Sequence, residues 1–521
     1  MKTAKILSLV ALAVAGAGML MVAGWMVWAQ DSSPPTPAGP SPPGEVNTGT
    51  SEGGTAASTN SIWVGVEPPG VQDLSQRDSR AVMEPFWQQA RQAQADSQWD
   101  LAGRRFADIA NRLPEGSHKQ NALLQGGKCL AQAGRIQEAV AKYDEVLAIG
   151  SQILQGGAGD SEVVSHRKRV AGFAITTIKD NMLHALYGKV VASRQAGDDQ
   201  KALQAIQYMR AWFPAFNNLK KVLPIAAQIE GQDARRLLAD EEAAETLVEQ
   251  AKKAGRAKQS DQAIQLADQV LSQYPDTAAA LAARNAKAEI LWLRGSHEDA
   301  NVLYEEIKAS LETIAPDCPL AREAQWHCAF LEASDLAKKL IPGGHDKNFP
   351  EADWQRAHEL CGVVCRWATE DLHRAEMALL SGELYYWPQQ YPEALALFDG
   401  VVRAFEKRIA RQQGKDIIQL KNIVMMARQF AGYVHLKSGD LDAAIQQFTT
   451  VMDACKDDPN AVHHANNPIA AGACLGLWYA YSSKADQAGM LSMESLMKDR
   501  WPDGGPARYL KFAKAKLASG Q

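Results

Sequence analysis

Eight times along the chain a small residue is followed twelve positions later by alanine, and six of those alanines are followed after four more by a bulky aromatic or branched residue. The clearest sets are Ala90, Ala102 and Phe106; Gly127, Ala139 and Tyr143; Ala288, Ala300 and Tyr304; Gly382, Ala394 and Phe398; and Gly432, Ala444 and Phe448. Weaker copies carry Val190, Ala202 and Ile206; Ala251, Ala263 and Ala267; and Gly476, Ala488 and Ser492. An offset of four returns to the same helix face, so each alanine and the residue after it read as one stripe of a second helix. The small residue belongs to a first helix that packs close against it, with the bulky side chain filling the groove beside them. The pattern predicts antiparallel helical hairpins used repeatedly. One hairpin cannot bury its apolar stripe alone, whereas stacked hairpins cover one another.

The distances between copies predict where the stack is interrupted. Ala102 and Ala139 are 37 residues apart, as are Ala263 and Ala300, so in these places one hairpin directly follows another. The steps from Ala139 to Ala202, Ala202 to Ala263 and Ala300 to Ala394 are 63, 61 and 94 residues. Each leaves room for extra helices or one degenerate hairpin, placing insertions near 151–182, 215–243 and 313–374.

The segment from Leu123 to Leu147, LLQGGKCLAQAGRIQEAVAKYDEVL, resembles a tetratricopeptide repeat, with a short turn after Gly134 and with Glu138, Ala139 and Tyr143 in the second helix. Proline follows several second helices where that family often has one, at Pro114, Pro214 and Pro275. The resemblance covers residues 83 to 505 discontinuously. It implies an all-α fold: a right-handed superhelical α-solenoid of stacked helical hairpins with degenerate repeats, over residues 71–521. Pro506 to Ser519 reads as a C-terminal capping helix, with Tyr509, Leu510, Phe512, Ala513 and Leu517 inward and Lys511, Lys514 and Lys516 outward.

The front of the chain predicts export. Lys2 and Lys5 precede an apolar run from Ile6 to Ala29 that contains no charge. At 24 residues the run matches the length of about 20 needed to span a bilayer, while Val27, Trp28 and Ala29 also form an acceptable cleavage site. Residues 1–30 are therefore a signal peptide or an N-terminal transmembrane anchor. Both lysines stay on the cytoplasmic side, so the rest of the chain lies in a periplasm or cell envelope. No cysteine follows the run, which argues against a lipoprotein signal. Residues 31–70 hold eight prolines, seven glycines and four acids without a lysine or arginine. That composition predicts a disordered linker, a tether with a reach of roughly 35 Å.

Charge and motifs exclude more than they suggest. From Val71 onward 53 basic residues face 56 acidic ones, so nothing calls for nucleic acid. His166, Arg167, Lys168 and Arg169 form the one basic run, in what reads as an irregular stretch after Gly159. HExxH, GxSxG, a strand-borne GxGxxG and EF-hand loops are absent. Gly126, Gly127, Lys128 and Cys129 imitate the end of a phosphate loop, but Ala122 replaces its first glycine and Cys129 its Ser or Thr. No catalytic residue, cofactor or metal is assigned. His358, Cys361 and Cys365 share a helix face with Trp354 and would hold a metal only if His327 or His373 joined them. In an exported compartment Cys455 with Cys474, then Cys318 with Cys328, are the leading disulfide pairs, and seven cysteines leave an odd one.

Function then falls to surfaces. The resemblance implies that first helices line a concave groove holding a partner's peptide or helix. Laid on these repeats, it puts Trp87, Arg91, Lys128, Tyr187, Arg194 and Lys252 along the first half of the groove, and Asn285, Glu289, Trp292, Glu383, Tyr386 and Tyr433 along the second. The successive Lys and Asn set with which chaperone-binding members clamp a terminal carboxylate is absent. The expected protein is a non-enzymatic scaffold for protein partners, possible settings being envelope biogenesis or secretion. Two alternatives stay open: a metalloprotein or enzyme centred on the His/Cys group, and an envelope carbohydrate-binding protein using Trp292, Tyr386 and Trp387 as stacking faces.

Overall fold

In the computed structural model, residues 78–113, 115–155, 161–341, 350–410, 415–456, 468–501, 510, 511, 514 and 515 are described. They form twenty α-helices and no strand. The predicted anchor at 6–29, the linker at 31–70 and Pro114 lie outside the described residues, as does most of the predicted capping helix. Of that helix, Leu510 is buried and Lys511 and Lys514 are exposed.

Two compact units divide the chain. Among the described residues one comprises Arg294–Asn301 and those from Glu323 onward; the other comprises those up to Leu293 together with Val302–Arg322.

The second of these begins with helices α1 (Asp78–Ala95), α2 (Trp99–Arg112), α3 (Ser117–Gln132) and α4 (Ile136–Gln155), which are two successive hairpins. The 63-residue step is taken up by α5 (Ser161–Gln195), a first helix of 35 residues paired with α6 (Asp199–Trp212). The basic run at 166–169 therefore lies on helical backbone; its side chains are outside the described residues. Two short helices, α7 (Phe216–Leu219) and α8 (Leu223–Glu230), precede the hairpin of α9 (Ala234–Arg256) and α10 (Ser260–Gln273). Next come α11 (Ala278–Leu293) and, from Val302 onward, α12 (His297–Leu311).

The other unit takes in α13 (Pro319–Leu340) from Glu323 onward and α14 (Glu351–Trp367), an additional hairpin clamped by Arg356, which donates to both Glu332 oxygens at 3.0 Å. It continues through α15 (Asp371–Tyr386), α16 (Tyr391–Ile409), α17 (Lys415–Ser438), α18 (Leu441–Lys456), α19 (Pro468–Ser483) and α20 (Gln487–Arg500).

The sequence stripe is the core. Ala102, Phe106, Ile109 and Ala110 are buried along α2, Ala394, Phe398 and Val401 along α16, and Ala444, Phe448 and Val451 along α18. Tyr143, Phe398 and Phe448 each sit over a glycine of their own hairpin. A Cβ on Gly127 would lie 2.7 Å from Tyr143 Cε1, one on Gly382 2.4 Å from Phe398 Cε1, and one on Gly432 2.7 Å from Phe448 Cε1. The same rings also touch the following hairpin, where Gly188 faces Tyr143 at 2.5 Å and Gly476 faces Phe448 at 2.4 Å. One ring thus closes a hairpin and stacks the next upon it, and its full burial contributes about 1.5–3 kcal/mol. This is a tetratricopeptide-like packing of helical hairpins.

Eight of the hairpin turns each contain one left-handed residue: Ser97, Gly134, Gly197, Lys258, Gly295, Gln389, Gly439 and Ala485, with φ from 55° to 82°. It ends the first helix through a bond from the next N–H back five residues, as Arg135 to Leu130, Asp198 to Ser193 and Asp440 to His435, all at 2.9 Å. Asp198, Asp440 and Asp486 then cap the second helix by accepting from the N–H three residues on. In the first seven copies this turn falls seven residues after the small residue and five before the alanine. The eighth copy, Gly476 with Ala488, does not keep that register. Counted from Ala485, its first-helix position is held by Trp478, fully buried, with Nε1 donating to Glu494 Oε1 at 3.1 Å. Gly476 is instead small because Phe448 lies upon it.

Candidate functional site

The predicted groove residues separate into three groups. Arg91, Lys128, Tyr187 and Glu289 are exposed, while Arg194, Lys252 and Tyr433 are half-buried. Trp87, Asn285, Trp292, Glu383 and Tyr386 are buried, so these five offer a partner little surface. Trp87 packs at 5.6 Å on Phe106, Trp292 edge-on at 6.3 Å against Tyr304, and Tyr386 edge-on at 5.7 Å against Phe430. They serve the stripe because aromatic area is stabilised by the neighbouring helix. The exposed stacking platform that carbohydrate binding needs is thereby missing from Trp292 and Tyr386. Tyr433 is also occupied: its hydroxyl donates to the Gly472 carbonyl at 2.7 Å.

Charges in the groove list are partly neutralised within the chain. Arg91 meets Glu84 at 3.4 Å and lies 5.7 Å over the Trp87 ring, and Arg194 pairs with Asp199 across its own turn. Lys128 is exposed on α3; being inside a helix, its neighbouring N–H groups cannot cradle a phosphate.

The His/Cys group is not brought together as a ligand set. His358 stacks on Tyr385 at 3.9 Å with Nδ1 3.0 Å from Ser381 Oγ, and Cys365 Sγ donates to the Arg374 carbonyl at 3.6 Å. Burial pushes the Cys361 thiol up to about 12 and Cys365 up to about 11, the opposite of what metal binding requires. Among the described residues no three His, Cys, Asp or Glu side chains are arranged to hold a metal. All seven cysteines are free thiols; Cys474 Sγ lies 3.9 Å from Met493 Sδ.

Where a histidine cluster does occur, it has different members. His327 stacks at 3.5 Å on Trp326, with Nε2 3.8 Å from Glu323, and His373 Nδ1 lies 2.8 Å from Glu370. Burial, then the charges of His373 and His297, pull His327 down to about 3; burial raises Glu323 and Glu376. The signal in sequence was slight: Glu323 with His327 four apart, and Glu370 with His373 three apart.

Three predicted groove residues do share one feature. Lys252 on α9 and Asn285 and Glu289 on α11 line a cleft of about 220 Å³, walled by Trp212, Pro214 and Leu320. These are neighbouring first helices, so their matching faces turn the same way. Glu241, completely buried on α9, positions α11 by accepting from the Ala279 N–H at 3.1 Å. Burial raises that carboxyl despite the Arg210 charge and the N–H groups it accepts. Trp212 is held from the side by Tyr208, stacked at 6.0 Å, and by the Arg322 guanidinium 6.0 Å over its ring. Asn285 Nδ2 donates to Glu289 Oε1 at 2.7 Å, which fixes the amide orientation, because an ionised carboxylate only accepts. Asn285 Oδ1 is consequently a buried acceptor without a hydrogen-bond partner. Lys252 donates to Glu249 at 2.9 Å. Trp212, Pro214 and Leu320 were not anticipated from sequence, since only the fold carries them to α9 and α11.

No protein-family model matches the chain, and no curated protein does. Among solved structures it is similar to the TPR domain of P58(IPK), at 11% identity over 84% of this chain and 99% of that one, with a TM-score of 0.24. A second is the structure of Naa15/Naa10 bound to HypK-THB, at 12% identity over 84% and 97%, with a TM-score of 0.13.

Proposed function

We propose that this chain is a non-enzymatic scaffold that holds segments of partner proteins against its first helices. The cleft bounded by Lys252, Asn285 and Glu289 supports this reading, because it pairs apolar walls with the buried Asn285 Oδ1 acceptor. Arg91, Lys128 and Tyr187 extend the surface along the earlier first helices. The apolar run at 6–29 behind Lys2 and Lys5 and the proline-rich stretch at 31–70 support an exported setting in a cell envelope, with the solenoid tethered to the inner membrane. A tether would raise the local concentration of scaffold beside membrane-bound partners.

The test is a peptide array probed with the full chain and with Glu289→Trp, which covers the cleft from an exposed lining residue. The expected result is a defined set of bound peptides that the filled variant loses while its thermal melt is unchanged. Identical binding by the two proteins would move the working surface elsewhere. Fractionation with a protease-accessibility assay tests the exported, anchored setting; a cytoplasmic protein fully soluble in salt would overturn it.

A further inference from the structure

One wall of the cleft comes from a connection between helices. Pro319 and Leu320 belong to residues 312–322, which run from the end of α12 through the first turn of α13. The connection turns upon itself: the Ile314 and Ala315 N–H groups donate to the Leu311 carbonyl at 3.2 and 2.9 Å, and Cys318 N–H donates to Ala315 at 3.1 Å. Two of its side chains fasten it to helices far back in the sequence. Asp317 accepts from the Ser151 hydroxyl near the end of α4 and from the Tyr208 hydroxyl of α6, which stands 3.3 Å from both carboxylate oxygens. Arg322 donates from Nη1 to the Leu154 carbonyl at 3.3 Å. Burial, then the Asp317 charge, raises the Tyr208 hydroxyl, so it keeps its proton and donates.

Pro319 and Leu320 lie between the two fastening residues in sequence, so freeing Asp317 and Arg322 frees that wall. Trp212 couples the two features from the other side. It walls the cleft, stacks on Tyr208 at 6.0 Å and lies 6.0 Å beneath the Arg322 guanidinium. The bonds from Tyr208 and Arg322 exceed the common lengths of about 2.8 Å for O–H···O and about 2.9 Å for N–H···O, and segments held by a few polar contacts are the ones that open locally. Resting on the scaffold reading above, we infer that residues 312–322 are a strap that opens away from the cleft and closes upon a bound partner segment, with Asp317 as its latch. An occupant lying against Trp212 and Leu320 gains both contacts only when the strap is shut. Occupancy and latching therefore favour each other.

Cys318 reports on the strap directly. It is fully buried within it, and burial pushes the thiol up to about 11, so alkylation requires opening. Cys129 on α3 of the same unit is also buried and also raised to about 11, which makes it the control for general unfolding. The full chain is treated with N-ethylmaleimide and both cysteines are followed by peptide mass spectrometry, each rate divided by that of the same chain unfolded in urea. Asp317→Ala should raise Cys318 labelling about tenfold or more, and Tyr208→Phe, which keeps the ring on Trp212, about threefold, with Cys129 unmoved. Peptides retained by the full chain on the array should slow Cys318 labelling about tenfold or more at saturation and leave Cys129 as it was. Rates for the two cysteines that shift together, or a Cys318 rate indifferent to both variants, would overturn the strap. Opening that bound peptides do not slow would overturn its closure upon a partner and leave the scaffold reading standing. An array without binders would overturn the scaffold reading and, with it, closure upon a partner.

Discussion

Phe448 lies directly over Gly476, so close that a Cβ at position 476 would be 2.4 Å from its Cζ, although the two residues belong to different hairpins. Gly432 faces the same ring from the hairpin that carries it, at 2.7 Å. A single aromatic side chain thus specifies both closure and stacking, and glycine is required wherever it touches the neighbouring backbone.

Gly476→Ala should cost about 1–3 kcal/mol, because interiors resist added volume. Gly400 lies in α16 with open space where its Cβ would go, so Gly400→Ala should stabilise by about 0.5–1 kcal/mol through helix propensity alone. Urea denaturation of the two variants separates crowding from propensity. Restoration of Gly476→Ala by Phe448→Leu would confirm the contact, and an unchanged midpoint for Gly476→Ala would remove it.

Four hairpin turns place a residue with a Cβ in the left-handed region, where the penalty is roughly 1–2 kcal/mol: Ser97, Lys258, Gln389 and Ala485. Gln389→Gly and Ala485→Gly should each stabilise by about 0.5–1 kcal/mol, the relief being partly offset by a freer unfolded chain. Gly134→Ala should do the reverse, at φ 76° and with no steric neighbour to blame. Thermal melts that rank these variants otherwise would contradict the turn assignment.

Glu383 is buried, and desolvation raises its carboxyl from 4.5 to about 8. Between those values the folded chain holds a proton that the unfolded chain releases, so this contribution is intact below pH 4.5 and is lost as pH climbs through about 8. At pH 7, Glu383→Gln should stabilise by about 3 kcal/mol and flatten the alkaline side of the stability profile. Equal slopes for both proteins would show that the carboxyl finds water or a charge.

His327 behaves oppositely. Its folded value, about 3, lies below the ordinary 6.5, so the unfolded chain binds the extra proton and stability present above pH 6.5 is lost as pH falls toward 3. The groups facing it are Glu323 on its own helix, Glu370 and His373 at the start of α15, and His297. His327→Leu should reduce the loss between pH 6.5 and 5 by about 2 kcal/mol, read from urea midpoints across that range. A loss as large as in the parent chain would place the acid sensitivity on another group.

How much was legible depends on how local the cause was. The hairpins and their stripe could be read directly, because Gly127 and Tyr143, or Gly382 and Phe398, are bound together by a spacing that one turn imposes. The last copy went out of register because Gly476 answers to Phe448 in the preceding hairpin, a neighbour that no within-hairpin spacing encodes. The groove was half legible for the same reason. Position on a first helix is periodic, but whether Trp87, Trp292 or Tyr386 faces solvent or core depends on the helix beside it.

The amino-acid sequence by itself determined the all-helical class, the hairpin as the unit, the places where glycine must meet an aromatic ring and the lack of familiar catalytic motifs. All of these follow from helical periodicity and side-chain size over short separations. Tertiary structure alone decided that Lys252, Asn285 and Glu289 share a cleft with Trp212, Pro214 and Leu320, that Glu383 and His327 are desolvated, and that His358, Cys361 and Cys365 stand apart from His327. Burial and convergence are sums over neighbours far away in the chain, and only packing assembles those neighbours.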